Sequence, residues 1–399
     1  MSGDTDVRRA LQRIQAPDEL DAQRRAWPLV RAALEAREPI TWPKRNLRPL
    51  LVAAAVVLIL AAAVSSPGRA LVGSVRDAVG TSEKVKARPA LTSLPAPGLL
   101  LVNARTGPWL VRADGSTRQF APWQEGSWSP QAKYLVVTRR HRLAAIDPNA
   151  QGQIRWAFSR ARRVHSARWS PDGFRVAYLN GRELRVVAGD GTGDGELRHR
   201  VGTTPPAWRP GADHELAFAS IDGRVEVVQT DSKKMLWQTV PSETPTQLVW
   251  SEDGERLLVL GERSLRAYDG DGRKLWGISL SIGPSGVAFV RGSHNFVMIR
   301  YSPAKGQSEL VLLQAEADRG EERFLYSAQG EFGTLAMSPN GNWLLVGWVN
   351  ADQWLFLRMS PVKAKAVSNI TEQFSTVPPK GPLSKTFPKS VSWCCPPSP

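Results

Sequence analysis

Short apolar segments separated by turn residues recur along most of the chain. In SARWSPDGFRVAYLNGRELRVV, residues 166–187, the segments FRVAYL and ELRVV are joined by Asn180-Gly181, a pair that favours a tight hairpin turn. The preceding WSPDG, residues 169–173, has Pro to fix φ, Asp to accept hydrogen bonds and Gly to supply a positive φ. Two strands cannot bury their own apolar faces, so this unit predicts neighbours of its own kind.

The same order of strand, turn and strand returns at a regular interval. The repeat positions are Trp128, Trp169, Trp208 and Trp250, followed by weaker copies at Phe289 and Met337. Successive gaps are 41, 39, 42, 39 and 48 residues. A period near 40 with about four short strands per unit is typical of the blades of a β-propeller, which is an all-β fold.

The two ends of the repeat region complement each other. Residues 99–120 contain strands without a preceding W-S-P segment, and residues 390–397, SVSWCCPP, resemble that segment without the strands that should follow it. We therefore predict that the N- and C-terminal strands share one blade. Counting Trp393 as the seventh repeat position gives seven blades, and six is the alternative if residues 361–399 are only a tail.

These residues also carry a family resemblance. WSPDG followed by RVAYL resembles the TolB-type and WD-like propeller repeats of bacterial proteins. Three outer segments, which end at Trp156, Trp237 and Trp276, are similar to the Asp-Gly-x-x-x-Trp elements of quinoprotein-like propellers, whose tryptophans dock neighbouring blades. The resemblance covers about 300 of the 399 residues and implies the fold, whereas propellers host many unrelated activities. The layout also looks like that of bacterial single-pass membrane proteins with such a propeller.

An apolar stretch precedes the repeats. Residues 50–64 carry no charge, and with Pro49, Ser65 and Ser66 the stretch reaches eighteen residues, about 27 Å as a helix. This length is near the minimum for a bilayer span, so we predict a signal-anchor transmembrane helix at 49–66. Basic residues on its N-terminal side slightly favour a cytoplasmic N-terminus, which leaves the propeller outside. Residues 67–97 are predicted as a juxtamembrane helix and linker, and 98–399 as the propeller.

The region before the span, residues 1–48, is predicted as a short cytoplasmic helical tail. It contains ten Lys/Arg and seven Asp/Glu, with apolar residues at helical spacing after Asp18. Membrane-bound anti-sigma factors share this layout of tail, span and outer sensor, although no His or Cys occurs before residue 141. The alternative function is therefore a transmembrane signal transducer whose residues 1–46 bind a cytoplasmic regulator.

No catalytic constellation is found in the sequence. A G-x-S-x-G element is missing, and the histidines fall in different blades with no shared offset; they are His141, His165, His199, His214 and His294. We therefore predict a protein that is not an enzyme and carries no cofactor. A quinoprotein-like dehydrogenase or a lyase is the third hypothesis.

Two local features are candidates for a metal site and a disulfide. Asp190, Thr192 and Asp194 resemble the start of a calcium loop, but position 12 is Val201 where a Glu is required, so an acidic hairpin turn is the preferred interpretation. Cys394 and Cys395 could form a vicinal disulfide, although we favour two small apolar residues in the closing strand.

The net charge of +15 lies almost entirely beyond the predicted span. A basic propeller outside the membrane could bind a protein, a wall polymer or lipid headgroups. Nucleic acid is not expected, because the basic residues are spread over all blades. We therefore predict a membrane-anchored binding or scaffolding module. Its partners would dock where loops meet, at Gln124–Ser127, Val164–Arg168, Thr203–Ala207 and Thr244–Val249.

Overall fold

The repeats form seven four-stranded antiparallel sheets in the computed structural model, which describes residues 90–280, 285–313, 322–376 and 382–395. Each sheet is one blade, and its strands run from the innermost to the outermost. Blade 1 consists of β28 (Ser390–Cys394), β1 (Leu99–Ala104), β2 (Gly107–Val111) and β3 (Thr117–Gln119). The all-β, seven-bladed propeller predicted from the repeat is confirmed.

The other six blades follow in chain order. Blade 2 has β4 (Glu125–Trp128), β5 (Leu135–Arg139), β6 (Arg142–Asp147) and β7 (Gln153–Ser159). Blade 3 has β8 (Val164–Trp169), β9 (Arg175–Asn180), β10 (Glu183–Ala188) and β11 (Gly195–His199). Blade 4 has β12 (Ala207–Trp208), β13 (Glu215–Ala219), β14 (Val225–Gln229) and β15 (Lys234–Gln238). Blade 5 has β16 (Gln247–Trp250), β17 (Arg256–Leu260), β18 (Ser264–Asp269) and β19 (Lys274–Ser279). Blade 6 has β20 (Gly286–Phe289), β21 (Phe296–Ser302), β22 (Gln307–Leu313) and β23 (Arg323–Gln329). Blade 7 has β24 (Phe332–Met337), β25 (Trp343–Trp348), β26 (Gln353–Met359) and β27 (Val362–Ser368).

The ring closes through blade 1. β28 pairs antiparallel with β1, placing Trp393 opposite Leu100 and Val391 opposite Val102. On its other side β28 lies against β24 of blade 7. The predicted sharing of one blade by the two ends is therefore confirmed, and with it seven blades rather than six.

The repeat residues end the innermost strands. Trp128, Trp169, Trp208, Trp250, Phe289 and Met337 are each the last residue of such a strand, and Trp393 is the last but one. Two of them show why a tryptophan recurs there. Trp208 Nε1 donates to the carbonyl of Arg168 in the preceding blade (3.0 Å), and Trp250 Nε1 donates to that of Ala207 (3.2 Å). In these two blades the ring buries apolar area while its N–H bridges to the preceding blade. Trp128 Nε1 and Trp169 Nε1 have no hydrogen-bond partner among the described residues, so burial of the ring is what these repeat tryptophans share.

The Ser that follows is the centre of the turn. Ser170 Oγ donates to Asp172 Oδ1 (2.5 Å) and accepts the backbone N–H of Arg175 (2.9 Å). The equivalent bonds recur around Ser251 and, with Asn in place of Asp, around Ser338. All three serines are at most 1% exposed. W-S-P-D-G is therefore a structural motif that fixes the connection between the first two strands.

The outer tryptophans dock the next blade, as the resemblance implied. Trp156 Nε1 donates to the Gly189 carbonyl of blade 3 (2.8 Å), and Trp237 Nε1 donates to that of Gly270 in blade 5 (3.0 Å). A Cβ on Gly272 would lie 2.5 Å from the Trp237 ring, so this turn position must be glycine.

Two short helices lie between blade 7 and the closing strand: α1 (Ile370–Gln373) and α2 (Leu383–Thr386). Leu91, Leu94 and Ala96 are buried in the same apolar cluster as Phe374. The end of the predicted linker is therefore packed onto the propeller because of its own apolar residues.

Within the described residues, no helix is long and apolar enough to cross a membrane. The predicted span at 49–66 and the predicted tail at 1–48 both lie outside those residues. They therefore stay predictions, as does the regulator proposed for the tail.

Replacing Ser251 with Ala is expected to destabilise the propeller by about 1–3 kcal/mol, because the partly buried N–H of Arg256 loses the fully buried Ser251 hydroxyl as its acceptor. Urea unfolding of the full-length chain measures this change. The control Ser279→Ala, at an exposed strand position, should shift the unfolding free energy by less than about 0.5 kcal/mol. Equal effects of the two substitutions would contradict the role given to the turn serine.

Candidate functional site

The strand order gives the ring two different faces. The turn face carries the W-S-P turns, such as Ser170–Arg175 and Ser251–Arg256, which join the first two strands of a blade. The hairpin face carries the hairpins between the second and third strands, such as Arg139–Arg142 and Asn180–Glu183, together with the loops that enter the next blade. The innermost strands line the central channel between the faces.

Two of the four segments predicted as loops are mostly strand, and a third is half strand. Gln124–Ser127 overlaps β4, Val164–Arg168 lies within β8, and Thr244–Val249 ends inside β16. Only Thr203–Ala207 is mainly a loop, ending at the first residue of β12. The prediction was wrong here because these strands pair with their neighbours several residues ahead of each tryptophan.

The channel is polar along blades 2 and 3. Glu125 Oε2 accepts the backbone N–H of Ser166 (3.1 Å), and His165 Nδ1 lies 3.0 Å from Ser166 Oγ. Burial lowers the pKa of His165, although Glu125 acts in the opposite direction. Burial likewise lowers the pKa of Arg168, with Glu125 again opposing.

Blades 5, 6, 7 and 1 surround a cavity of about 390 Å³ in this channel. Its walls include Val249, Phe289, Leu335 and Met337, which are partly buried apolar side chains. At the turn face the cavity also contacts Glu252 and Arg291, whose side chains form an ion pair with Arg291 Nη2 and Glu252 Oε1 2.8 Å apart. The size falls in the range of small-molecule sites.

Two histidines form matching contacts across the turn face. His214 Nε2 of blade 4 lies 2.7 Å from Asp172 Oδ2 of blade 3, and His294 Nε2 of blade 6 lies 2.6 Å from Asp253 Oδ2 of blade 5. In both pairs the aspartate is the one that accepts the turn serine's hydroxyl. The histidine therefore connects the turn of one blade to the turn of the next.

The expectation that the histidines share no offset was wrong for this pair. Trp208 pairs with Leu216, whereas Phe289 pairs with Phe296, so the turn of blade 4 is one residue longer. Counted back from these second-strand residues, His214 and His294 both stand two positions earlier. An offset measured from the second strand would have revealed the equivalence.

The pKa values of both aspartates lie below their ordinary value. Burial acts to raise the pKa of Asp253, but hydrogen bonds from Ser251 Oγ, the Glu255 N–H and His294 outweigh it and lower that pKa to about 2. The pKa of Asp172 is lowered in the same way, by Ser170, the Phe174 N–H and His214 against its burial.

The calcium candidate has other partners in the structure. Asp190 Oδ1 accepts both the N–H and the hydroxyl of Thr192, at 2.9 and 2.7 Å. Asp194 is instead ion-paired with Arg160 and Arg185 and accepts the hydroxyl of Tyr178. Burial, followed by the bond to Asp194, raises the pKa of Tyr178 to about 12. The Asp194 carboxylate is thus already paired with two arginines, so the calcium hypothesis gains no support and stays a prediction.

The two cysteines stand at the end of the closing strand. The structure joins Cys394 and Cys395 by a disulfide, which is the alternative to the interpretation we favoured from the sequence. Cys394 is the last residue of β28 and lies opposite Leu99 of β1.

Exposed arginines meet on the hairpin face of blades 2 to 4. Each loop entering a blade donates a backbone N–H to the hairpin of the blade before it: Val164 to the Arg140 carbonyl, and Val201 to the Arg182 carbonyl. Between these two bonds, Gly181 donates to the Arg163 carbonyl. The set Arg139, Arg140, Arg163, Arg182 and Arg200, here called the arginine arc, is thereby brought together from separate parts of the sequence.

The arginine arc is exposed and lacks carboxylate partners among the described residues. His141 and Arg142 are exposed beside Arg140, and a pocket of about 240 Å³ lies between Gln124, Arg140, His141 and Arg163. Guanidinium groups in such a pocket favour phosphate or carboxylate ligands, which accept two parallel N–H bonds.

The net positive charge of the propeller lies on blades 1 to 3. Blade 1 with its flanking segments, residues 90–123 and 382–395, contains 5 Lys/Arg and 1 Asp/Glu. Residues 124–206, blades 2 and 3 with the loop that follows, contain 14 Lys/Arg and 7 Asp/Glu, whereas residues 207–376, blades 4 to 7, contain 17 and 20. Basic residues therefore occur in every blade, as the sequence predicts, and the blades differ in their net charge instead. The asymmetry is absent from the overall composition and becomes visible only when charges are counted by blade.

Comparison with known proteins gives the fold alone. No protein-family model and no curated protein matches the sequence. A functionally unknown protein from Desulfotomaculum acetoxidans has a similar structure, with 10% identity, 75% of this chain and 99% of that chain covered, and a TM-score of 0.55. A protein from Bacteroides uniformis, provisionally assigned as a 6-phosphogluconolactonase, is 11% identical, with 75% of this chain and 100% of that chain covered and a TM-score of 0.54. The β-propeller domain of Cps50 (Swd1) from Myceliophteria thermophila is 12% identical, with 61% of this chain and 86% of that chain covered and a TM-score of 0.49. The first two similarities, at 10–11% identity, concern the fold alone, and the TolB-type assignment stays a prediction.

The lowered pKa of Asp253 predicts how the stability of the propeller depends on pH. Because the pKa of Asp253 is about 2 in the folded chain against an ordinary 3.8, its stabilisation is complete above pH 3.8 and disappears as the pH falls towards 2. The urea midpoint of Asp253→Asn should therefore lie below that of the wild type at neutral pH, with the gap closing between pH 3.8 and 2. The exposed control Asp271→Asn should show no such gap. A gap that persists at pH 2 would exclude the carboxylate as its source.

Proposed function

We propose that this protein is a non-enzymatic binding module that is anchored at the outer face of the cytoplasmic membrane and captures a polyanionic polymer of the envelope. The observation that carries the proposal is the arginine arc: five exposed guanidinium groups on successive blades of one face, with no carboxylate partner in the described chain. The anchor and its orientation rest on the sequence of residues 44–66.

A linear polymer suits the arc better than a small anion does. The five arginines come from the hairpins of blades 2 and 3 and from the loops after them, so they follow the rim of the ring. A chain of repeated phosphates or carboxylates can engage several guanidinium groups at once, and each further contact is then intramolecular. A single small anion would engage only one or two of them.

The rest of the ring supports a directed contact. Blades 4 to 7 carry slightly more acidic than basic residues, so a polyanion is attracted to one side of the propeller. On the hairpin face these blades present Asp222, Glu243, Glu262 and Glu331. A tether would keep the module at the membrane, where an envelope polymer is concentrated.

Reversing three charges of the arc tests the proposal. The triple variant Arg140→Glu, Arg163→Glu, Arg182→Glu should bind soluble poly(glycerol phosphate) at least about tenfold more weakly than the wild type, because each exposed ion pair contributes up to ~1 kcal/mol. Its affinity should also depend less on salt, since fewer counterions are released. Fluorescence anisotropy of the labelled polymer, at several salt concentrations, measures both effects.

The matched control changes the net charge equally on other blades. Arg323→Glu, Arg358→Glu and Lys363→Glu replace exposed residues of blades 6 and 7 and should leave the affinity within about twofold. Equal losses of affinity in the two triple variants would show that binding depends on the overall charge alone and not on the arginine arc. Anionic vesicles bound in place of the polymer would assign the arc to a lipid surface, and equally tight single-stranded DNA would contradict selection of an envelope polymer.

A further inference from the structure

The second cluster of ligand-bearing side chains lies on the opposite, turn face. His294 Nε2 of blade 6 is 2.6 Å from Asp253 Oδ2 and 3.7 Å from Glu255 Oε2, both of blade 5. One ligand atom from each of these three residues lies within 4.8 Å of the other two. We propose that Asp253, Glu255 and His294 form a binding site for a divalent transition metal ion of the zinc class that joins blades 5 and 6.

The donor atoms face one another across the boundary between blades 5 and 6. Asp253 Oδ1 is held by Ser251 Oγ (2.5 Å) and by the Glu255 N–H (3.0 Å), which fixes the carboxylate and leaves Oδ2 directed at the histidine. Ligand atoms around a tetrahedral zinc ion lie about 3.3 Å apart, given bonds of about 2.0–2.2 Å. The observed 2.6 and 3.7 Å bracket that separation, so small side-chain rotations would bring the three atoms to it.

The donor set matches the metal chemistry. One imidazole nitrogen and two carboxylate oxygens suit zinc, cobalt or manganese, whereas calcium and magnesium favour oxygen ligands alone. Glu255 is 61% exposed and Asp253 48%, so water can complete the coordination.

Two arginines lie close to the site. Arg256 Nη1 is 3.9 Å from Glu255 Oε2, and a surface ion pair at that distance is weak. Arg209 Nε donates to the Gly254 carbonyl (2.7 Å), and its charge is paired with Glu215.

Blades 3 and 4 contain an equivalent aspartate–histidine pair with which the proposed site can be compared. Blades 3 and 4 repeat the aspartate–histidine pair as Asp172 and His214, at 2.7 Å. There the position of Glu255 is occupied by Phe174, because SPDGFR aligns with SEDGER. His214 Nδ1 is instead close to a second carboxylate, Asp231 Oδ2, at 2.5 Å. The pair alone therefore connects neighbouring blades, and the converging third ligand is what distinguishes blades 5 and 6.

The test uses cobalt as a spectroscopic probe for zinc. The full-length chain, prepared without a histidine tag and freed of metal, is titrated with Co²⁺ and then with Zn²⁺ as a competitor. We expect one Co²⁺ per chain with visible absorption bands that Zn²⁺ abolishes. Glu255→Phe, which copies blade 3, should weaken Co²⁺ binding at least about tenfold, since even the loss of a residue that only supports a ligand costs that much.

Two further variants separate a ligand from a structural residue. His294→Gln should abolish the absorption bands, while Asp172→Asn, at the reference pair, should leave the titration unchanged. Because Phe is already tolerated at the equivalent position of blade 3, metal-free Glu255→Phe should unfold at the wild-type urea midpoint. The proposal is overturned if the wild type shows no cobalt bands, if Glu255→Phe binds as the wild type does, or if Asp172→Asn weakens binding as much as His294→Gln.

Discussion

The pairing of β28 with β1 is the interaction on which the other contacts of the ring depend. It joins residues almost 300 positions apart, Val102 with Val391 and Leu100 with Trp393, and it places β28 against blade 7. Without it, blade 7 would expose the side on which Phe356 meets Trp393, with ring centroids 5.8 Å apart. Blade 1 would also lack its innermost strand. In a closed ring no blade exposes its apolar packing side, because every blade has a neighbour on each side.

Closure also makes the repeats equivalent in space. Once the blades are arranged in a ring, the same turn position faces the next blade, and in blades 3, 5 and 7 a buried serine paired with an aspartate or asparagine occupies equivalent places. Side chains that differ between repeats then create local sites on a shared framework. Glu255 in place of Phe174 is one such difference, and the arginines of the hairpins and entering loops are another. The turn face and the hairpin face can therefore carry unrelated chemistry.

The blade count and the closure of the ring were predictable from the sequence, because the repeat period, the turn residues and the incomplete terminal repeats are all visible as local sequence patterns. WSPDG and the incomplete units at 99–120 and 390–397 were sufficient for the blade count and for the shared blade. The starts of the inner strands were not predictable, since their pairing begins in segments such as Gln124–Ser127 that contain Gly and Ser and read as loops. The docking of Trp156 and Trp237 followed from the resemblance, whereas their glycine partners became evident only in space.

The candidate sites were harder to predict for a physical reason. Both consist of residues from neighbouring repeats, so their members are separated by a whole blade in sequence: Asp253 and His294 by 41 positions, Arg140 and Arg182 by 42. Such a site is revealed by a search at the repeat period, and only if the register of each turn is known, because the extra residue before His214 hides its equivalence to His294. In this propeller the blade is thus the repeating unit of the fold, whereas side chains combine into the candidate sites at the boundaries between blades. Both the arginine arc and the aspartate–histidine contacts lie at such boundaries.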